Sequence, residues 1–399
     1  MQPETGGGSS RQSFAFVDLG VDVHVQCGEA SATRNEVGIR MQAMADGAGM
    51  LSDERLTAYS AVSTSLALRS DRGLGELVDT AAPLGCGIGG RSALLEVAGT
   101  PVFVKRVPLT EVELRPDHVR STANVFGLPV FCQYNIGGPG GGAWREAAVH
   151  TMTTNWVLSG QYQGFPLMYH WRVLPDTAPA LPKELADVDR VVSYWGGGPE
   201  VRRRIEALAE SPASLVLFLE YIPQTLHEWL TEQVRVGDEA VGRACALVER
   251  ELEAGTSFMN DRGLLHLDAH FRNILTDGQR LYFADYGLAL SSRFDLSPAE
   301  ADFFERHRTY DRAYTLSYLV NWLLMGLHGY ERAEREALIF ACAEGAPPPA
   351  SPPEVMATLG RHAPLAAVVT DFIGRLERES RETAYPLAAI HQIFESRYS

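Results

Sequence analysis

The chain has 399 residues, 45% hydrophobic and 21% charged, an ordinary composition for a water-soluble folded protein. Its net charge of −15 argues against non-specific binding to nucleic acid or to an anionic membrane, since both need basic surface. Cys27, Cys86, Cys132, Cys245 and Cys342 form neither a zinc spacing nor a disulfide framework, so a reducing cytoplasm is the expected compartment. No charged-then-apolar leader is read at the start. The longest uncharged apolar run, residues 313–327, is interrupted by Thr315, Ser317, Tyr318 and Asn321. It falls short of the roughly 20 residues of a membrane span and reads as a buried helix.

Residues 1–13 are rich in Gly, Ser and Gln, residues 43–49 are small, and residues 1–50 read as a poorly ordered N-terminal extension. Alternation over residues 14–26 allows one brief strand there. Ser52 before Asp53 and Glu54 has the form of a helix cap with carboxylates in the first turn, predicting a helix over 52–68. A short helix is expected over 75–80.

Residues 83–107 alternate as strand, glycine turn, strand, turn, strand. Gly85, Gly87, Gly89 and Gly90 crowd the first turn. Such a loop lets backbone amides approach phosphate without Cβ clashes. The third strand ends in Val102-Phe103-Val104-Lys105, and Lys105 supplies a compact cation for phosphate oxygens. Phe103 and Lys105 share one face of that strand. A long connection, residues 110–142, ends in a glycine-rich stretch, which reads as a hinge or as an anion site at a helix start. The helix that follows carries Trp144, Arg145 and Glu146, and then His150, Thr153, Thr154, Asn155 and Trp156. Strands are expected over 165–174 and 214–220, with helices over 201–210, 226–234 and 239–258. Arg202, Arg203 and Arg204 read as a solvated helix face. A helix begins near Tyr310, and the tail over 354–398 is helical after a proline-rich break.

The most informative stretch is 263–290. His266, Asp268 and Asn273 stand in the order His-x-Asp-x-x-x-x-Asn. An Asp277-Gly278 turn and a short strand follow, then Asp285-Tyr286-Gly287. Two apolar runs about an Asp-Gly turn make a hairpin that presents Asp268, Asn273 and Asp285 at one end. Phosphoryl transfer asks for this set. A carboxylate, Asp268, orients an acceptor hydroxyl and takes its proton. Oxygen ligands, from Asn273 and Asp285, hold a hard divalent metal.

With these spacings the chain resembles the protein-kinase-like superfamily over roughly residues 81–325. The resemblance implies an α+β, two-lobed protein-kinase-like fold, with an N-lobe antiparallel sheet plus helix and a mainly helical C-lobe. The N-lobe would occupy 51–220, with a helical N-terminal addition and an inserted loop, and the C-lobe 221–399. It also implies ATP and Mg2+ as cofactors and a protein, peptide or small-molecule hydroxyl as acceptor. Gly85, Gly87, Gly89 and Gly90 would cover the phosphates, in one of two registers. Lys105 would hold phosphate and pair with Glu146, with Arg145 or Trp144 as other occupants of that helix face. Phe103 stands where a small residue normally meets the base. Glu220-Tyr221-Ile222-Pro223 resembles the hinge, so the backbone of Glu220 and Ile222 would meet adenine. His266 and Asp311 would support the catalytic loop. Residues 121–160 resemble an uncharacterised bacterial protein kinase family. No Ala-Pro-Glu follows Gly287, so the usual peptide platform is shortened or absent. His270 is what aminoglycoside and choline phosphotransferases tend to carry. Asp285-Tyr286-Gly287-Leu288-Ala289 looks more like protein kinases, so a serine/threonine protein kinase is the first expectation. A small-molecule phosphotransferase is the second. A nucleotide-binding pseudokinase or scaffold is the third, on account of Phe103.

Overall fold

The computed structural model describes residues 53–87, 89–134, 140–178 and 180–396. The expectations for residues 1–50, for the Ser52 cap and for residues 137–139 of the glycine-rich stretch fall outside these.

Two helices open the described chain, α1 (Asp53–Ala67) and α2 (Asp71–Asp79). The second starts four residues earlier than its sequence pattern indicates because the Ser70 side chain caps it, accepting from Gly73 N. Strands β1 (Ala82–Gly87), β2 (Gly90–Val97) and β3 (Thr100–Leu109) follow. A short helix α3 (Glu111–Leu114) and a 3-10 turn (Val130–Tyr134) occupy the long connection. Then come α4 (Ala143–Leu158), β4 (Met168–Pro175), α5 (Lys183–Ala186), α6 (Val188–Tyr194), α7 (Pro199–Ala209) and β5 (Ala213–Glu220). The five strands form one antiparallel sheet in the order β1-β2-β3-β5-β4.

Strand periodicity sorts the two faces of this sheet. Val102, Val104, Val216 and Phe218 belong to a core shared with Val62 and Leu66 of α1 and Leu74 and Val78 of α2. The alternate residues Val107, Leu109, Leu215, Leu217 and Leu219 pack with Ala143, Trp144 and Ala147 of α4, and Phe103 joins them. Lys105 shares the face of Phe103, so its side chain is directed toward α4.

The rest of the chain is mostly helical. It contains β6 (Gln224–Thr225), α8 (Leu226–Val236), α9 (Asp238–Asp261), β7 (Leu264–Leu265), β8 (Ile274–Thr276), β9 (Leu281–Phe283) and β10 (Leu290–Ser291). It continues with α10 (Pro298–Arg306), α11 (Tyr310–His328), α12 (Arg332–Ala343), α13 (Pro353–Arg378) and α14 (Leu387–Glu395). Helix α11 buries Leu316, Leu319, Val320, Leu323 and Leu324, as its largely apolar run requires. Strands β8 and β9 form the expected hairpin, pairing Ile274 with Phe283 and Thr276 with Leu281. Asp277 closes its turn by accepting from Gln279 N and Arg280 N, with Gly278 at φ 88°. Among the described residues no helix is long and apolar enough to cross a membrane. Among the described residues the fold is thus mixed α and β, with a five-stranded antiparallel sheet, two smaller antiparallel sheets and a large helical remainder.

Candidate active site

The site is assembled around the β8–β9 hairpin. Asn273 O accepts from Ala284 N at 3.0 Å, which sets Asn273 beside the residue preceding Asp285. Asn273 Nδ2 donates to Asp268 O at 3.1 Å and to Asp268 Oδ2 at 3.0 Å. The amide nitrogen is thereby committed, and the amide oxygen is the atom that could ligate a metal. Two residues here have left-handed backbone, Leu267 at φ 62° and Asp285 at φ 61°. Non-glycine residues adopt this conformation only under tertiary constraint. One such constraint is Asp311 on α11, which is buried and accepts from His266 N at 2.6 Å and Leu267 N at 2.8 Å. His266 is fully buried, and its Nε2 lies 2.9 Å from Ala284 O. Burial holds its ring below the ordinary histidine pKa, so it is neutral at pH 7.

Lys105 meets this hairpin from the sheet. Its Nζ donates to Glu146 Oε1 at 2.6 Å and to Asp285 Oδ1 at 2.8 Å. Burial alone would lower its pKa, but the Asp285 and Glu146 carboxylates outweigh that and raise it. Burial likewise opposes charge on Asp285, and Lys105 wins, holding that carboxyl at about 2. The cation and the Asp285 anion are both present at neutral pH. Of the three candidates on the start of α4, Glu146 is the one placed on Lys105. Trp144 Nε1 donates instead to Glu113 O, and Arg145 pairs with Glu300.

The glycine turn lies against the same pair. A Cβ on Gly89 would stand 3.1 Å from Lys105 Nζ and 3.7 Å from Asp285 Oδ2. Gly90 pairs with Gly87 across the β1–β2 turn. Its φ is 116°, and a Cβ there would meet Arg106 O at 2.1 Å. Gly85 pairs with Ser92, in the strand proper. The last residue of β5, Glu220, pairs with Val102 across β3, and its N–H donates to Leu167 O at 2.7 Å. Ile222 follows in the connection to β6.

His270 Nε2 lies 3.6 Å from Asp268 Oδ1. Burial pushes its pKa down to about 4, so it faces Asp268 as a neutral ring at pH 7. His150, one helical turn after Glu146, has an edge-to-face contact with Tyr286, with ring centroids 4.7 Å apart. Tyr286 in turn meets His266 at 5.4 Å. This stack joins α4, the Asp285 loop and the Asp268 loop. Neither ring nitrogen of His150 has a hydrogen-bond partner, and burial drives its pKa down to about 3.

Several supporting residues carry no motif. Glu113 Oε1 accepts from Ala143 N at 2.9 Å, and Oε2 accepts from Arg204 at 2.9 Å. The N-terminus of α4 is therefore capped by a carboxylate of the chain itself, which occupies the place expected for an external anion. Arg204 is buried in this pair, unlike Arg202 and Arg203, so the expected solvated arginine face holds for only part of α7. Glu300 of α10 takes Arg145 at 2.7 Å. Both glutamates close a Thr/Ser-x-x-Glu capping box, Thr110 to Glu113 and Ser297 to Glu300, a spacing readable in the sequence. Their distant partners are not. Gly141 N also donates to Gly287 O at 2.8 Å, tying the approach to α4 onto the Asp285 loop.

No protein-family model matches the chain. A 93-residue stretch is 30% identical to mitogen-activated protein kinase kinase kinase 3 of Arabidopsis thaliana. The match covers 23% of this chain and 16% of that protein, so the chain spans a small fraction of its relative's length. The likeness marks a kinase-like region within the chain.

Proposed function

We propose that the chain is a phosphotransferase that moves the γ-phosphate of ATP, in a Mg2+-dependent reaction, to the hydroxyl of a serine or threonine in a protein or peptide. The observation that carries this reading is the meeting of Lys105, Glu146 and Asp285, at 2.6 and 2.8 Å, beside the Asp268–Asn273 pair. The antiparallel sheet with α4 and the helical remainder read as the two lobes of a protein-kinase-like fold, residues 51–220 and 221–399. Glycines 85, 87, 89 and 90 would cover the phosphates, and Phe103 and the backbone of Glu220 and Ile222 would meet the base.

The donor set fits the cofactors. Asp285 would offer a carboxylate and Asn273 its amide oxygen, hard ligands suited to Mg2+. A bound Mg·ATP would supply the phosphoryl group, with its charge partly neutralised by the metal. Lys105 binds phosphate oxygens, and Glu146 keeps that ammonium in place. Asp268 orients the acceptor hydroxyl and takes its proton as the new bond to phosphorus forms and the bond to the ADP oxygen breaks. His266 and Asp311 hold the Asp268 loop in shape.

A second reading, transfer to a small molecule, draws on His270 at 3.6 Å from Asp268 and on the short segment after Gly287. Peptide-array and metabolite-panel kinase assays distinguish the two acceptors.

The test of the main reading is Asp268→Asn, which keeps shape and removes charge. Nucleotide affinity should stay near wild type, while transfer or ATP hydrolysis falls by at least about a hundredfold. A variant with full activity would remove Asp268 from the chemistry. A wild type that binds ATP but transfers nothing, to any acceptor offered, would favour a scaffold.

A further inference from the structure

Arg55, in the first turn of α1, ties together three separate segments. Its Nε donates to Glu220 Oε1 at 2.7 Å, and one terminal nitrogen donates to Glu220 Oε2 at 2.6 Å. That nitrogen also donates to Phe165 O at 2.6 Å. The other donates to Gln163 O at 3.2 Å and Gln163 Oε1 at 3.0 Å. The guanidinium also lies 5.4 Å from the ring centroid of Tyr282 on β9. One side chain thus joins the connection after α4, the end of β5 and the hairpin of the candidate site. Only 10% of the Arg55 side chain and 14% of that of Glu220 is exposed.

Seating of α1 draws as well on Val62 and Leu66, which the helix buries. A cation in the first turn also opposes the helix dipole, which favours Asp53 and Glu54 there. Glu220 is held from every side. Its carboxylate takes Leu167 N at 2.9 Å as well as Arg55, and its own N–H goes to Leu167 O. A planar fork suits such a site, because it fixes a carboxylate and nearby carbonyls at once.

We propose that Arg55 is a positioning residue for the nucleotide base. It clamps the Glu220 end of β5, so the backbone of Glu220 and Ile222 is fixed in advance for the edge of a purine. The inference rests on the phosphotransferase reading above and adds that a helix outside the sheet and hairpin governs how tightly the base is held. Pre-ordering of these peptide groups removes an ordering cost from binding.

The experiment titrates two ligands, Mg·ATP and Mg-tripolyphosphate, which has no base. Wild type, Arg55→Ala and the double variant Arg55→Ala/Glu220→Gln are compared, with thermal unfolding of each free protein. In both variants Kd for Mg·ATP should rise about tenfold, the loss of roughly one base-edge hydrogen bond. Kd for Mg-tripolyphosphate should be unchanged. The double variant leaves no unpaired buried carboxylate and should unfold above Arg55→Ala. If both ligands weaken together, Arg55 is only structural and the proposal falls. It falls equally if ATP affinity is unchanged, or if the double variant restores it. A wild type that binds tripolyphosphate and ATP equally removes the base contact alone, whereas one that binds neither removes the phosphotransferase reading as well.

Discussion

Arg145 and Glu300 form an ion pair at 2.7 Å with 3% and 2% of their side chains exposed. It fastens α4, at the residue preceding Glu146, to the helix that follows the Asp285 loop. Removing one partner leaves an uncompensated buried charge, which costs about 3–5 kcal/mol. Arg145→Met and Glu300→Gln should each lower the denaturant midpoint, and Arg145→Met/Glu300→Gln should recover most of the loss. Additive single effects in this double-mutant cycle would show that the pair is not coupled.

Lys105 is predicted to be required for nucleotide binding. Lys105→Met removes the cation that Glu146 and Asp285 share, and leaves the buried Glu146 carboxylate facing the partly exposed one of Asp285. Mg·ATP should then give no thermal stabilisation, while Glu146→Gln should keep binding and lose turnover. A shift in Lys105→Met equal to that of wild type would take phosphate away from Lys105.

The glycines of the first turn should not tolerate substitution equally. Gly90→Ala places a Cβ 2.1 Å from Arg106 O at a φ of 116°. Strain of that kind costs about 1–3 kcal/mol before the clash is counted. A Cβ on Gly87 meets nothing within 4 Å. Chemical unfolding should therefore separate Gly90→Ala from Gly87→Ala, the second lying near wild type. Equal losses in the two variants would contradict the observed turn.

His150 makes stability depend on acid. Burial places its folded pKa at about 3, below an unfolded value near 6.5. Between those values the unfolded chain binds the extra proton, so stability rises with pH and is lost as pH falls below about 6.5. From pH 7 to pH 5 the loss from this one group is roughly 2 kcal/mol. His150→Leu should flatten the pH dependence of unfolding by about that amount. A wild-type curve already flat from pH 7 to pH 5 would count against a buried neutral His150.

Much of the fold was legible because its signals are local. The Asp277-Gly278 turn, the alternation through Val102 to Val107 and the apolar run of α11 each specify structure within a few residues. The order of His266, Asp268, Asn273 and Asp285 likewise lies within one hairpin. The Lys105–Glu146 partnership was reached through resemblance, since nothing near Lys105 distinguishes Glu146 from Arg145 or Trp144. Strand parity and the pitch of α4 make that choice.

What tertiary structure alone decided is the set of partners far apart in the chain. Arg55 and Glu220 lie 165 residues apart, Arg145 and Glu300 lie 155 apart, and Arg204 and Glu113 lie 91 apart. Charged residues on helices ordinarily face water, so periodicity assigned Arg204 to solvent with its neighbours. Only its ion pair with Glu113 of α3 and its place over the Phe126 ring, both set by tertiary structure, bury it. A buried charge must find its opposite, and which opposite it finds depends on how sheet and helices stack. The local pattern therefore determined the elements and the reactive residues, and the stacking decided what holds them in place.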